Sequence, residues 1–222
     1  MNESMKQKIT IILFALKPAR GKVKTRLAKE LGADVAVKIY KAMCEDIWNT
    51  IKSLNVPAIL ATDINEAWLP EPEHVLVQPD GNFGCRLESI IRQTAELGYK
   101  SAITLSPDTP HLAQSIIGRA IEILNNGDAD VVASPSDDGG LVLSGFKLPL
   151  SVEIQNLPFE TDLLATVVSD LKNEFNVEII EPVSFDIDTI EDAQRLLRES
   201  EKFKDICPNT IRILELNVPV QK

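Results

Sequence analysis

The chain has 222 residues, 44% of them hydrophobic, and its 33 acidic and 23 basic residues give a formal charge of -10. This length and composition are typical of one globular domain, here predicted to span residues 1–222. The negative charge disfavours nucleic acid and anionic membranes as main partners, because both would repel the protein.

The cysteines and the first apolar run indicate the cellular compartment. Cys44, Cys85 and Cys207 are widely spaced and form no C-x-x-C pattern, which argues against a disulfide framework and a zinc site. The run ITIILFAL is too short to span a bilayer, and the basic segment after it contains no small-residue cleavage site. We therefore expect a cytoplasmic protein.

Short runs rich in β-branched residues alternate along the chain with longer segments whose apolar residues recur three and four positions apart. This alternation predicts a parallel α/β fold. The predicted strands cover residues 9–16, 58–62, 75–77, 101–105, 131–133, 141–143 and 177–180. The predicted helices cover residues 34–54, 86–97, 113–126, 161–175 and 190–200.

Two dipeptides mark the predicted ends of one helix. Thr109-Pro110 predicts the entry to helix 113–126, with proline in a first-turn position, and Asn126-Gly127 predicts its end. The late apolar run TIRILELNVPV fits either a further strand or a dimer contact, so a homodimer stays open.

The loop after the first predicted strand carries a basic island. Arg20, Lys22, Lys24 and Arg26 occupy alternate positions, so an extended backbone would project all four side chains to one side. Together with Gly21 they could form a phosphate cradle, in which lysine acts as a point charge and arginine as a bidentate fork. A solvated basic loop explains the charge pattern equally well.

Aspartates follow several of the later predicted strands. Ligands of parallel α/β sheets bind outside the carboxyl ends of the strands, where these residues should meet. Converging carboxylates repel one another unless a cation lies between them, and oxygen-rich sites suit Mg²⁺ or Mn²⁺. Each aspartate alone is more often a turn former or a helix cap. The candidates are Asp80, Asp108, Asp137, Asp138, Asp186 and Asp188.

Taken in order, five segments match the motifs of one family: FALKPARGKVKTRLAKELG, QPDGNFGCRL, LSPDTPHL, SPSDDGGLVLSGF and FDIDTIED. They resemble the small GT-A-like proteins of the DUF2064 family, which belong among the nucleotide-diphospho-sugar transferases and are related to 2-phospho-lactate guanylyltransferase. The resemblance covers residues 9–197, and the ordered set is specific where any one motif is not. It implies a three-layer α/β/α GT-A fold with a mostly parallel central sheet.

The resemblance also implies roles for individual residues. Asp108 would bind a divalent cation, Mg or Mn, and take part in catalysis, with Asp186 or Asp188 completing the metal site. Asp138 would orient the acceptor or act as base, and Asp137, Gly139 and Gly140 would lie on the acceptor or sugar side. The implied nucleotide and phosphate contacts are Arg20, Gly21, Lys24, Arg26, Gln78, Gly81, Gly84 and Arg86.

The leading hypothesis is metal-dependent glycosyl transfer from a nucleotide sugar to a small-molecule acceptor. The alternatives are nucleotidyl transfer from a nucleoside triphosphate to a phosphorylated small molecule, and a non-catalytic nucleotide-binding protein of the same fold. Two departures from the family pattern, Pro107 and the pair Leu141-Val142, favour the non-catalytic alternative.

Overall fold

Seven strands form one sheet in the computed structural model, which describes residues 9–149, 172, 175–181 and 184–219. The strands are β1 (Ile9–Phe14), β2 (Ala58–Thr62), β3 (His74–Val77), β4 (Ser101–Leu105), β5 (Val131–Pro135), β6 (Leu141–Lys147) and β7 (Val177–Ile179). Their order across the sheet is β3-β2-β1-β4-β6-β5-β7. Only β6 pairs antiparallel, with β4 and β5, so the predicted mostly parallel sheet is confirmed.

The helices of the described residues connect and cover these strands. They are α1 (Thr25–Leu31), α2 (Ala33–Ser53), α3 (Phe83–Glu96), α4 (Gln114–Asn126), α5 (Ile190–Arg198), α6 (Ser200–Phe203) and α7 (Pro208–Asn217). The predicted helix at 161–175 lies, apart from residues 172 and 175, outside the described residues. None of the helices in the described ranges has the length and apolar character needed to cross a membrane.

Alternating side chains of β1 separate the two faces of the sheet. Ile11 packs in a core with Ile47 of α2 and Ile117 of α4. Ile12, which points to the opposite face, packs in a second core that contains Ile90 of α3. Burial of both faces explains why β1, β2 and β4 are continuous apolar runs rather than alternating ones. The three-layer α/β/α arrangement predicted from the sequence is confirmed.

The last helices form a separate layer of packing against α2. Residues of α1, α2, α5 and α7 share a buried cluster that includes Leu27, Met43, Leu196 and Leu214. Residues 210–217 of the run TIRILELNVPV therefore belong to helix α7, and the strand interpretation is wrong for them. Pro208 begins this helix, where its missing amide proton leaves no hydrogen bond unmade.

Of the two ends predicted for α4, the end of the helix is confirmed and its entry is wrong. Gly127 adopts a left-handed conformation with φ 77° and ends the helix as predicted. The predicted entry at Thr109-Pro110 is wrong, because α4 begins at Gln114 and Pro110 lies in the preceding turn. That turn follows β4, at the carboxyl edge of the sheet.

Candidate active site

The first loop is a turn followed by a helix, and not the extended segment that the alternating basic residues predicted. Helix α1 begins at Thr25, directly after Lys24, whose backbone is left-handed with φ 45°. The basic side chains consequently diverge. Arg20 pairs with Asp34 at 2.5 Å, on the exposed surface.

Lys22 and Asp63 tie the first loop to the loop after β2. The Lys22 ammonium lies 2.8 Å from Asp63 Oδ2, and the Lys17 backbone amide donates to Asp63 Oδ1 at 2.7 Å. Next to Asp63, the hydroxyl of Thr62 accepts a hydrogen bond of 2.9 Å from the indole of Trp68. The loop that carries Lys24 is thus fastened to the neighbouring strand end.

Lys24 turns inward and joins two aspartates. Its ammonium lies 2.6 Å from Asp108 Oδ1 and 2.8 Å from Asp188 Oδ1, and its side chain is 3% exposed. Burial alone would lower the pKa of Lys24, but the attraction of Asp108 and Asp188 outweighs it and raises the pKa above its usual value. The lysine is therefore a fixed positive charge between two carboxylates.

Backbone contacts bring these two aspartates together. Asp108 follows β4, and its carbonyl accepts a hydrogen bond of 2.9 Å from the amide of Ile187, next to Asp188. Asp188 precedes α5, where Thr189 and Asp192 form a capping box that fixes the start of the helix. Asp192 therefore has a structural role in the late D-x-D-T-x-x-D motif.

Asp186 is a further aspartate at this edge of the sheet, and burial dominates its electrostatics. Its Oδ1 accepts a hydrogen bond of 2.5 Å from the hydroxyl of Thr109, a residue of the turn after β4. Burial, with a smaller contribution from the neighbouring charges of Asp108 and Asp138, raises the pKa of Asp186 to about 7. The raised pKa therefore reflects mainly the burial of this carboxyl, to which the neighbouring carboxylates add.

The carboxylates suit a divalent cation only in part. Asp108 and Asp188 supply the oxygen ligands that Mg²⁺ and Mn²⁺ prefer. Within the described ranges, however, no three His, Cys, Asp or Glu side chains are grouped closely enough to hold an ion. The pair therefore fits a cation that takes its remaining ligands from phosphate oxygens and water, and not one held by the protein alone.

A cleft of about 240 Å³ lies beside the Lys24 ammonium. One wall carries Arg86, whose guanidinium donates to Gln78 Oε1 at 3.0 Å, while Gln78 Nε2 donates to the Ala61 carbonyl at 2.8 Å. The buried Nε of Arg86 has no hydrogen-bond partner among the described residues. The cleft is lined by Phe14, Leu16, Lys22, Val23, Lys24, Tyr40, Gln78, Phe83, Arg86, Ser106, Pro107, Asp108 and Asp188.

The structure brings some of the predicted nucleotide contacts into this cleft and leaves others outside it. Lys24, Gln78 and Arg86 line the cleft. Arg26 is 71% exposed and lies 3.9 Å from Asp188 Oδ2, at the rim. The remaining four do not line it: Arg20, Gly21, Gly81 and Gly84.

The predicted acceptor-side residues form the turn between β5 and β6. Asp138 accepts hydrogen bonds from the hydroxyl of Ser136 and, at 3.0 Å, from the amide of Gly140. The Ser136 hydrogen bond is the main cause of a lowered pKa for Asp138. Asp137 pairs instead with Arg195 of α5. Asp137 and Asp138 are therefore turn residues, one of the two structural roles that single aspartates commonly have.

Sequence reasoning missed several cleft residues because they lie in apolar or neutral surroundings. Phe14 and Phe83 contact each other edge to face, with ring centroids 5.5 Å apart, and Arg86 lies over both rings. Tyr40 accepts a hydrogen bond of 3.1 Å from the Leu16 amide through its hydroxyl. An aromatic residue at a strand end, such as Phe14, was the one available signal.

The three-layer α/β fold is similar to that of several solved structures. A candidate nucleotide-diphospho-sugar transferase from Desulfovibrio desulfuricans G20 superposes with a TM-score of 0.83 over 95% of both chains, at 23% identity. The 4-diphosphocytidyl-2C-methyl-D-erythritol synthase from Anaerococcus prevotii DSM 20548 gives a TM-score of 0.55 at 12% identity, over 84% of this chain and 95% of that one.

The manganese complex of Rv0371c from Mycobacterium tuberculosis H37Rv gives a TM-score of 0.52 at 16% identity, over 86% of this chain and 98% of that one. No curated protein matches the sequence. The chain belongs to the family described as "Uncharacterized protein conserved in bacteria (DUF2064)", whose sequence profile matches residues 44–163.

Proposed function

We propose that the protein is a transferase that uses a nucleotide-activated donor, and that the transferred group is a glycosyl unit passed from a nucleotide sugar to a small acceptor. The observation that carries the proposal is the cleft in which Lys22, Lys24 and Arg86 lie beside Asp108 and Asp188. Such a cleft combines phosphate-binding cations with carboxylates that can share a divalent cation with the phosphates. The proposed enzyme is a single cytoplasmic domain spanning residues 1–222.

In this proposal the cleft binds the diphosphate of the donor. Arg86 is positioned for a phosphate oxygen because Gln78 holds one of its nitrogens, while its Nε is buried without a partner among the described residues. Lys22 and Lys24 add positive charge to the same cleft. These cations would stabilise the negative charge that develops on the leaving nucleotide.

Asp108 and Asp188 are the residues proposed to hold Mg²⁺ or Mn²⁺ together with the donor phosphates, and Asp186 supports them from the interior. When bound, the cation would supply Lewis-acid stabilisation of the phosphate oxygens. Fixed carboxylates on two loops would orient the diphosphate in the cleft before transfer. The manganese complex of the structurally similar Rv0371c is compatible with this assignment.

The turn between β5 and β6 is proposed as the acceptor side of the site. Asp138 is close enough to Asp186 for its charge to raise the pKa of that residue. Because the hydrogen bond from Ser136 lowers the pKa of Asp138, this carboxylate is better suited to orienting an acceptor hydroxyl than to taking its proton. Gly139 and Gly140 would leave room for the acceptor beside it.

Product analysis tests the proposal. The protein is incubated with Mn²⁺ and either nucleotide sugars or nucleoside triphosphates, in the presence of sugar and phosphorylated acceptors. Release of nucleoside diphosphate from a nucleotide sugar supports glycosyl transfer. Release of pyrophosphate from a triphosphate would instead identify nucleotidyl transfer, and donor binding without any product would identify a non-catalytic nucleotide-binding protein.

The variant Asp108→Asn links the reaction to this site. It is expected to lower kcat/KM by about 100-fold or more, because it removes one charge that the cation and Lys24 share. Asp34→Asn is the matched control, since Asp34 pairs with Arg20 on the exposed surface outside the cleft. Equal activity of the two variants would contradict the assignment of Asp108.

A further inference from the structure

The position between Asp108 and Asp188 is already taken by a positive charge. The Lys24 ammonium lies 2.6 Å from one carboxylate and 2.8 Å from the other, as close as hydrogen bonding allows. A divalent cation bound to the same two oxygens would lie about 2.0–2.2 Å from each of them. The ammonium and the ion would therefore compete for one space and for the same oxygens.

We propose that Lys24 closes this carboxylate pair to divalent cations until the phosphates of the donor draw its ammonium away. The cation and the donor would then bind together, and the free protein would bind the cation weakly. The inference rests on the proposed function, since it assigns the order in which the ligands of that site bind.

The surroundings of Lys24 favour such an exchange. The cleft beside its ammonium also presents Lys22 and Arg86, so an anion entering there meets three cations. Asp108 and Asp188 are 34% and 44% exposed, which lets them stay solvated when the lysine leaves. A bound phosphate would offer the ammonium oxygens that replace those it gives up.

The backbone of Lys24 has a conformation that is uncommon for a non-glycine residue. A non-glycine residue at φ 45° and ψ 48° is strained by about 1 kcal/mol or more, and such a conformation persists only where its surroundings enforce it. The contacts that surround it include the two ion pairs of its side chain and the Asp63 anchor of its loop. No neighbouring cation replaces Lys24 in the ion pairs, because Lys22 is held by Asp63 and Arg26 reaches Asp188 only at 3.9 Å.

Mn²⁺ binding to the donor-free protein tests the inference without any turnover. Free Mn²⁺ is followed by electron paramagnetic resonance during titration of the wild type, Lys24→Met and Lys147→Met. We expect Lys24→Met to bind Mn²⁺ with a Kd at least about tenfold lower than that of the wild type, because the competing charge is gone. Lys147→Met should match the wild type, since Lys147 pairs with Asp130 outside the cleft. Equal Kd values for the wild type and Lys24→Met would overturn the inference.

A second measurement uses inorganic pyrophosphate as the probe for the donor phosphates. Equilibrium dialysis with elemental analysis of manganese and phosphorus is expected to show that pyrophosphate and Mn²⁺ each increase retention of the other by the wild type. Retention of as much Mn²⁺ without pyrophosphate as with it would overturn the inference, even if Lys24→Met failed to fold. A failed product assay would leave both binding results intact, so the two hypotheses fail separately.

Discussion

The carboxylate of Asp46 accepts a hydrogen bond of 2.7 Å from the backbone amide of Thr210, 164 positions later in the chain. Asp46 lies on α2 and is 1% exposed. Its other oxygen accepts hydrogen bonds from the backbone and side-chain nitrogens of Asn209. An aspartate of one helix thus caps the first turn of α7, where unpaired amides concentrate positive charge.

Asp46→Ala is expected to destabilise the protein by about 2–3 kcal/mol, because it leaves buried donors at the start of α7 without an acceptor. Urea unfolding would show the loss as a lower midpoint. Glu45→Ala, at the adjacent and partly exposed position, is the control and should change the midpoint little. Similar midpoints for the two variants would show that Asp46 does not stabilise α7.

The Arg86 guanidinium is expected to contribute to donor affinity rather than to stability. Arg86→Met should raise the Kd for a nucleotide ligand by about 10- to 100-fold, the value of one or two charge-assisted hydrogen bonds. Isothermal titration calorimetry measures this change. Arg92→Met, on an exposed position of the same helix, should leave the Kd unchanged. An unchanged Kd for Arg86→Met would remove Arg86 from the binding site.

Alanine substitutions at two glycines, one in the turn between β5 and β6 and one in helix α4, should change stability in opposite directions. A Cβ atom on Gly140 would lie 2.9 Å from Ser136 Oγ and 3.1 Å from Asp138 Oδ1, so Gly140→Ala should lower stability by about 1 kcal/mol. Gly118 of α4 has open space around it, and Gly118→Ala should raise stability by about 0.5–1 kcal/mol. The midpoint of thermal unfolding should fall for Gly140→Ala and rise for Gly118→Ala. A shift in the same direction for both variants would contradict the tight packing around Gly140.

The contribution of His111 to stability should depend on pH in mild acid. Burial, and next the positive charge of Arg195, lowers the pKa of His111 to about 4, against 6.5 when exposed. The unfolded chain therefore binds this proton more readily, and the contribution of His111 to stability should fall as the pH drops from about 6.5 to about 4, by up to about 3 kcal/mol. Asp186 acts in the opposite direction: its pKa is raised to about 7, so its contribution to stability increases as the pH drops over much of this range.

Comparison with His111→Phe isolates the histidine contribution. Phenylalanine can keep the ring contacts with Phe185 and Phe203, whose centroids lie 4.2 Å and 4.8 Å from that of His111. The difference in unfolding free energy between the two proteins should be constant above pH 7 and should shift in favour of the variant below pH 6. A pH-independent difference would show that His111 titrates alike in both states.

The sequence predicted most of the sheet because burial on both faces leaves a clear signal. The bounds of β2 and β4 match the predicted strands residue for residue. Helix α1 was missed because alternating charges look like a strand, although Leu27 of that helix is fully buried. Helix α7 was missed because a short apolar run has no unique period, and because its cap, Asp46, is distant in sequence.

The sequence predicted which charged residues gather at the site, but not which of them form ion pairs with one another. Parallel strands gather the loops of Asp108 and Asp188 at one edge whatever the details of each loop, so their meeting followed from the fold. That Lys24 enters between them depends on a left-handed backbone at one residue, for which lysine gives no signal. The cleft residue Phe83 was missed although it lies within the motif QPDGNFGCRL, because a single aromatic residue in a predicted loop does not reveal that it lines a cleft.

The anchoring of the first loop through Asp63 provides an optical probe of the site. The chain has two tryptophans. Trp48 is 1% exposed and bonded to the Pro70 carbonyl, so its emission should be insensitive to ligands. The indole of Trp68 bonds to Thr62, the neighbour of the aspartate that holds Lys22. Fluorescence of the unlabelled protein, with Trp68→Phe as the blank, can thus report when an anion enters the cleft.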